Sequence, residues 1–183
     1  MINPELEKNN YIILRNFISK ERAKDLAEDF ILQSSNFTSD PQSPWALSKY
    51  NYKYFLYLLC EKTFDVSSIY GNYVIPTYCY ARYYKNGGML AKHTDRPSCE
   101  ISITLNLKKD RNWPIYINTP NGSVATVELD PGDAMMYRGC TAPHWREKKM
   151  EGNWVQVFLH YVDLHGNNYE HYFDRLNDVE KNN

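Results

Sequence analysis

Short runs of alternating apolar and polar residues dominate the second half of the chain. They fall at residues 73–84, 90–94, 101–107, 114–118, 123–128, 134–137, 144–145 and 154–162. Gly, Pro, Asn and Asp separate the runs, as expected of strands joined by turns. Strands of this length and spacing, without helices between them, are typical of a sandwich or a jelly-roll barrel. We therefore predict a mainly β fold for residues 72–163.

The first third of the chain has a different periodicity. Residues 11–17 are predicted to form a strand, and Ser19 is a suitable N-cap for a helix with apolar residues at three- and four-residue spacing. Residues 34–43 are rich in Ser, Asp and Pro and are predicted to form a loop. A second, more apolar helical stretch covers about 50–64. We expect one domain, in which N-terminal helices at about 19–64 brace the larger sheet and residues 164–183 form a polar tail.

Composition limits the class of protein. The 183 residues carry a net charge of −1 with scattered charges, so there is no electrostatic footprint for nucleic acid or an anionic membrane. The first ten residues lack the apolar core of a signal peptide, and no later run approaches the ~20 apolar residues that span a bilayer. The four Cys contain no Cys-x-x-Cys pair and are expected to be free thiols. We expect a cytoplasmic protein without nucleic-acid or membrane partners; the sequence contains no indication of its oligomeric state.

The candidate chemistry lies in the segment YKNGGMLAKHTD, residues 84–95. His93 and Asp95 are two positions apart, so on a strand their side chains point the same way and can share one ion. His144, about fifty residues later, can complete the set from a neighbouring strand. Two imidazoles and one carboxylate, with the opposite positions open, form the ligand set of non-haem Fe(II) oxygenases. We predict that these three residues are metal ligands and catalytic; the alternative is a surface turn with a core histidine.

From residue 16 to residue 163 the sequence resembles a 2-oxoglutarate- and Fe(II)-dependent dioxygenase of the prolyl 4-hydroxylase-like group. The matching features are Asn16-Phe17-Ile18-Ser19 before a helix, Tyr-x-x-Gly at 84–87, His93-Thr94-Asp95, Thr104-Leu105-Asn106, the Pro-Gly-Asp turn at 131–133, His144, and Gly152 before a strand. The resemblance implies a double-stranded β-helix, which is a jelly-roll or cupin-like barrel. It also implies Fe(II) held by the His-Asp-His set, 2-oxoglutarate as co-substrate and O2, with ascorbate as a candidate supporting reductant.

The resemblance implies hydroxylation of an unactivated C–H bond, with a prolyl residue of a peptide or protein as the first substrate candidate. A free amino acid or other small metabolite is the alternative enzyme substrate, because a chain of this size leaves little room for a separate peptide-binding domain. An alternative of another class is a non-catalytic metal-binding jelly roll that recognises a ligand without turning it over.

The usual anchor for the far carboxylate of 2-oxoglutarate is absent from its expected place. Relatives have Lys or Arg nine or ten residues after the distal His, just after a Gly, whereas this chain has Trp154, and strand parity points the neutral Gln156 inward. A dicarboxylate in a poorly solvated pocket needs a cation. We therefore predict that a basic residue elsewhere in the chain is the anchor. In order of preference, the candidates are Arg82, Arg146 and Lys108. For each, a solvated or structurally paired cation is the alternative.

Further residues near the predicted site follow from the resemblance and from strand parity. Relatives contact 2-oxoglutarate through hydroxyl groups at positions that match Tyr84, or its neighbour Tyr83, and Thr104. His160 is expected to face the barrel interior, as a hydrogen-bonded core histidine or as a rival metal ligand. Residues 34–45 and 108–113 are predicted to cover the mouth of the barrel.

Overall fold

Helices precede the barrel strands along the chain, as the sequence pattern predicts. The computed structural model describes residues 1–40, 42–148 and 151–175, so the end of the predicted polar tail, 176–183, lies outside the described residues. The helices are α1 (Pro4–Asn9), α2 (Lys20–Leu32), α3 (Lys53–Glu61) and α4 (Thr63–Tyr70). The strands are β1 (Tyr11–Leu14), β2 (Thr38–Asp40), β3 (Ser43–Tyr50), β4 (Val74–Tyr84), β5 (Leu90–His93), β6 (Ile101–Lys109), β7 (Ile115–Asn118), β8 (Val124–Val127), β9 (Ala134–Arg138), β10 (His144–Arg146) and β11 (Trp154–Asp163).

The strands form two antiparallel sheets. The larger sheet has the order β1-β9-β6-β11-β4-β3-β2, and the smaller has the order β5-β10-β7-β8. From β4 to β11 the chain therefore passes back and forth between the sheets, with β4, β6, β9 and β11 in the larger and β5, the consecutive pair β7 and β8, and β10 in the smaller. This is the double-stranded β-helix that the resemblance implied, and the predicted fold class is confirmed.

The larger sheet separates an apolar core from a polar barrel interior. On one face of β6, Ile101, Ile103 and Leu105 join the buried side chains of the helices in one cluster. Each such side chain contributes about 1.5–3 kcal/mol when fully buried. Residues of the other parity on the same strand, Ser102 and Thr104, are buried but polar, and they hydrogen-bond to side chains of β11. These polar side chains are thus held on a densely packed wall.

The N-terminal helices differ in detail from the sequence prediction. Ser19 caps α2 as predicted, because its Oγ accepts a hydrogen bond from the backbone N–H of Arg22 at 3.1 Å. The single helical stretch predicted for about 50–64 is instead two helices, α3 and α4, which meet at Lys62. The second of these continues to Tyr70 and ends at Gly71, whose φ of +91° closes the helix in the left-handed conformation. Within the described residues, no helix is long and apolar enough to cross a membrane.

The loop prediction for residues 34–43 is wrong in part. Residues 38–40 and 43–50 form β2 and β3, and β3 pairs with β4 from Ala46 opposite Tyr84 to Tyr50 opposite Tyr80. The composition of this segment indicates no strand. It becomes one because the edge of β4 presents unpaired backbone groups to it. The resulting β2–β3 hairpin widens the larger sheet beside the barrel mouth.

Candidate metal centre

Three predicted ligand residues converge where β5 and β10 run side by side. His93 ends β5, His144 begins β10, and the two are register partners with ring centroids 4.4 Å apart. Asp95 Oδ1 lies 3.3 Å from His93 Nε2 and 3.7 Å from His144 Nε2. One ligand atom from each residue lies within 4.8 Å of the others. A single ion can therefore contact all three.

Both imidazole rings are oriented by backbone carbonyl groups. His93 Nδ1 lies 2.8 Å from the Ala91 carbonyl oxygen, and His144 Nδ1 lies 3.0 Å from that of Ala142. A carbonyl can only accept, so each Nδ1 carries a proton, and each Nε2 faces the carboxylate, where it can bind a metal. Two such nitrogens and one carboxylate oxygen fit Fe(II).

Electrostatics favour the metal-binding protonation states of two of the three side chains. Burial opposes the charged form of Asp95, but the hydrogen bond with His93 and the nearby imidazoles hold its pKa below the ordinary value. Burial lowers the pKa of His144. Burial alone would also lower the pKa of His93, but its hydrogen bonds with Asp95 and Ala91 outweigh burial and raise it. An ionised carboxylate and a neutral His144 are thus in place, and a metal would displace any proton on His93 Nε2.

Residues at the end of β9 fix the position of Asp95. Its backbone N–H donates to the Gly139 carbonyl at 2.9 Å, and Tyr137 donates through its hydroxyl to Asp95 Oδ2 at 3.4 Å. A Cβ on Gly139 would lie 2.2 Å from the Cys99 carbonyl oxygen and 2.6 Å from Asp95 Oδ2. Only glycine fits this position. The sequence analysis missed Gly139 and Tyr137, because neither belongs to a recognisable motif.

A second cluster shares Asp95 with the first. Ligand atoms of Asp95, Cys99 and His160 also lie within 4.8 Å of one another. However, Ser102 Oγ donates to the Cys99 carbonyl at 3.1 Å and lies 2.9 Å from His160 Nδ1, so this ring nitrogen donates to the serine. Burial lowers the pKa of His160 to about 4. His160 is therefore a neutral, hydrogen-bonded residue in the barrel interior.

A cavity of about 460 Å³ lies beside the His-Asp-His cluster. Tyr78 and Tyr80 of β4 and Phe158 of β11 form an aromatic wall. The β2–β3 hairpin, which follows β4 in the same sheet, contributes further lining residues, including Asp40. Residues 34–45 thus include part of the cavity wall, whereas residues 108–113 contribute nothing to it.

Two of the three predicted anchor cations carry acidic partners. Arg82 lines the cavity, and its Nε forms an ion pair with Asp40. The same guanidinium donates to Tyr84 Oη at 3.3 Å and to Gln42 Oε1 at 3.1 Å. Lys108 lies half-exposed at the surface, with Nζ 3.6 Å from Asp110.

The third predicted cation, Arg146, is buried and does not line this cavity. Its guanidinium carbon is 4.8 Å from the ring centroid of Trp113 and 5.1 Å from that of Trp154. It donates to the Trp113 carbonyl and, at 3.4 Å, to Gln156 Oε1. Burial lowers the pKa of Arg146 to about 10. Gln156 in turn donates to Thr104 Oγ1 at 2.6 Å, so these predicted co-substrate residues lie together in the structure.

Neither a protein-family model nor a curated protein matches the sequence. Solved structures match the fold, and one is a prolyl-4-hydroxylase from Pseudomonas putida, with a TM-score of 0.71 over 87% of this chain and 95% of that chain, at 11% identity. HygX from Streptomyces hygroscopicus, with nickel and 2-oxoglutarate bound, matches with a TM-score of 0.70 over 88% of this chain and 85% of that chain, at 9% identity. A viral collagen prolyl hydroxylase from Paramecium Bursaria Chlorella virus-1, in complex with 2-oxoglutarate, matches with a TM-score of 0.63 over 83% of this chain and 95% of that chain, at 12% identity. The chain has the fold of 2-oxoglutarate–Fe(II) oxygenases.

Proposed function

We propose that this protein is an Fe(II)- and 2-oxoglutarate-dependent hydroxylase, a single oxygenase domain whose metal ligands are His93, Asp95 and His144. The observation that carries the proposal is the convergence of these three side chains, with both Nε2 atoms directed at one carboxylate, beside a cavity. Such a set leaves the opposite side of the metal for a chelating 2-oxo acid and O2. When bound, the iron and 2-oxoglutarate supply the oxidation of an unactivated C–H bond by O2.

The residues of the chain position these groups and exclude water. The Ala91 and Ala142 carbonyls hold the two imidazoles, and the end of β9 holds the carboxylate of Asp95. The aromatic wall and the β2–β3 hairpin enclose the space in which a substrate C–H bond would approach the metal. Tyr84, Thr104 and Gln156 are proposed to contact 2-oxoglutarate, with either Arg82 or Arg146 as the cation for its distal carboxylate.

A binding experiment tests the metal and the co-substrate together. Anaerobic addition of Fe(II) and 2-oxoglutarate should produce the weak visible band of a chelated 2-oxo acid. His93→Ala should abolish the band because it removes one of the three ligands. His165→Ala is the matched control, since His165 lies beyond β11 in the tail. A wild-type protein that binds neither Fe(II) nor 2-oxoglutarate would contradict the proposal.

A prolyl residue of a peptide or protein is the first proposed substrate. Its support is the resemblance at residues 84–95 together with the likeness to two solved prolyl hydroxylases. Succinate release should rise when proline-containing peptides are added with Fe(II), ascorbate and 2-oxoglutarate. A panel of such peptides, with matched peptides in which alanine replaces proline, tests this assignment.

A small metabolite is the second proposed substrate, and the form of the cavity favours it. Its volume of about 460 Å³ is that of a small-molecule pocket, and the hairpin closes one side of it. HygX, which has a similar fold, was solved with hygromycin B bound. Succinate release with free amino acids but not with peptides would support this substrate class. Tight ligand binding without succinate release would instead support the non-catalytic jelly roll.

A further inference from the structure

We infer that Arg146, on β10, is the cation that binds the distal carboxylate of 2-oxoglutarate, in place of a basic residue on β11. The inference rests on the proposed function and concerns which residue of this chain completes the co-substrate site. It also changes the order that the sequence predicted, in which Arg82 came first.

Arg146 is a buried cation without a counter-charge among the described residues. Only 2% of the residue is exposed. Its hydrogen bonds go to two neutral acceptors, the Trp113 carbonyl and Gln156 Oε1, and its flat faces pack near two indole rings. In the described part of the chain, no acidic group forms an ion pair with it. Because a buried charge is costly unless it is paired, a ligand carboxylate would complete this site.

Arg82, the competing guanidinium, is already neutralised. Its Nε pairs with Asp40, and its remaining donors reach Tyr84 Oη and Gln42 Oε1. A carboxylate at Arg82 would have to compete with an acidic side chain that is only 2% exposed. The two arginines thus differ in charge balance, and Arg146 is the one that gains an ion pair by binding an anion.

Arg146 and the candidate metal ligand His144 lie on the same short strand. Arg146 lies two residues after His144 on β10, so both side chains point to the same side of the smaller sheet. Two residues of extended strand span about 6.6 Å, which is comparable with the length of a five-carbon dicarboxylate. A co-substrate that chelates beside His144 can therefore present its far carboxylate to the guanidinium of Arg146.

Buried polar atoms of Asn106 lie in the same region. The side-chain Nδ2 and Oδ1 of Asn106 are buried and have no hydrogen-bond partner among the described residues. Asn106 is the register partner of Gln156 in the β6–β11 ladder, and Gln156 is the side chain that Arg146 contacts. Buried amide groups without partners are rare. A carboxylate that replaces the long 3.4 Å contact between Arg146 and Gln156 could accept hydrogen bonds from the guanidinium and from Asn106 Nδ2.

The test pairs two ligands with two variants. 2-Oxoglutarate and 2-oxopentanoate chelate iron identically, but the second has a methyl group in place of the distal carboxylate. Anaerobic titration of the Fe(II) protein, followed by the visible band and by tryptophan fluorescence, gives the ratio of their dissociation constants. Wild type should prefer 2-oxoglutarate by roughly 30-fold or more, the discrimination expected of a buried charge pair. In Arg146→Met this ratio should fall close to one, while 2-oxopentanoate binds as in wild type.

Lys108→Met is the matched control, because it removes a half-exposed cation that pairs with Asp110 at the surface, and it should keep the preference for 2-oxoglutarate. The inference is overturned if Arg146→Met keeps the preference or if Lys108→Met alone removes it. If wild type binds neither 2-oxo acid, the proposed function fails, which is a distinguishable result.

A measurement on wild type decides the matter should Arg146→Met not fold. In a crystal structure with nickel and 2-oxoglutarate, the distal carboxylate should lie within hydrogen-bond distance of the Arg146 guanidinium. A carboxylate bound to Arg82 or Lys108 instead would overturn the inference.

Discussion

Asp40 of the β2–β3 hairpin and Arg82 of β4 form an ion pair in the cavity wall, although only 2% and 6% of their side chains are exposed. Tyr80 donates through its hydroxyl to the same carboxylate oxygen at 2.7 Å. The hairpin is therefore held against β4 by charged groups as well as by the β3–β4 ladder. The Asp40–Arg82 pair therefore contributes both to the stability of the protein and to the shape of the cavity.

Removing one partner should destabilise the protein strongly. Asp40→Ala leaves Arg82 buried without its counter-ion, and we expect a loss of about 3–5 kcal/mol in the free energy of unfolding. Urea denaturation followed by circular dichroism measures this loss. In Asp40→Ala combined with Arg82→Met the unpaired charge is gone, so the double variant should be more stable than Asp40→Ala. A single variant of wild-type stability would show that the pair is solvated.

The same carboxylate should make stability depend on pH. Burial opposes its ionisation, but the charge of Arg82 and the hydrogen bond from Tyr80 hold the pKa of Asp40 below its ordinary value of 3.8. Because the pKa of Asp40 is lower in the folded than in the unfolded state, its ionised carboxylate stabilises the fold at pH values above the unfolded-state pKa. This contribution is lost as the pH falls through the folded-state pKa. Below about pH 5 the free energy of unfolding should therefore fall more steeply for wild type than for Asp40→Asn. Equal slopes in a urea series over pH would contradict this prediction.

Gly139→Ala should weaken metal binding without altering any ligand. Its new Cβ would meet the Cys99 carbonyl oxygen at 2.2 Å and Asp95 Oδ2 at 2.6 Å, so Asp95 must move. Displacing a group that orients a ligand typically costs 10–100-fold in metal affinity, and calorimetric titration with a divalent metal would measure it. Gly122→Ala is the control, because it strains a positive φ of +84° but meets nothing within 4 Å. Similar affinities for the two variants would exclude steric displacement of Asp95.

Substitution of two histidines by glutamine distinguishes the two candidate ligand clusters. His144→Gln should abolish stoichiometric metal binding, since Nε2 of His144 faces Asp95. His160→Gln should retain binding, because the ring of His160 is hydrogen-bonded to Ser102 and neutral. Metal titration of both variants checks this. Retained binding in His144→Gln, with loss in His160→Gln, would place the metal at Asp95, Cys99 and His160.

The cysteines should differ in reactivity. All four are free thiols, as the sequence predicts. Cys79 and Cys99 are buried, and burial raises the pKa of Cys99 to about 12 and that of Cys140 to about 11. At neutral pH a thiol reagent should modify exposed Cys60 first, and all four only after denaturation. Mass spectrometry after brief alkylation measures the order, and rapid labelling of Cys99 would contradict the buried site.

The barrel could be predicted from sequence because its strands carry their own signals. Alternating residues and turn residues placed β4 to β11 within one or two positions of their observed ends. The spacing of His93 and Asp95 placed both side chains on one side, and the structure brings His144 to them. The strand bounds and the shared side of His93 and Asp95 depend on short-range periodicity, which a single sequence displays, whereas His144 was predicted with the help of the family resemblance.

The features that sequence analysis missed depend on contacts between distant segments. Nothing local distinguishes residues 43–50 from a loop, since their strand exists only by pairing with β4. Likewise, the charges of Arg82 and Arg146 look equivalent in sequence. They differ because Asp40 reaches the first, whereas two indoles and a glutamine surround the second.

Within the described residues, the backbone of the β2–β3 hairpin pairs with the rest of the larger sheet only through the β3–β4 ladder. Strands β5 and β10, which hold the two imidazoles, belong to the other sheet. Changes at the hairpin tip that keep Asp40 and Ser43 are therefore expected to alter the cavity wall and to leave β5 and β10 in place. Related proteins could therefore differ in substrate specificity through changes in the β2–β3 hairpin alone, with the candidate metal ligands on the other sheet unchanged.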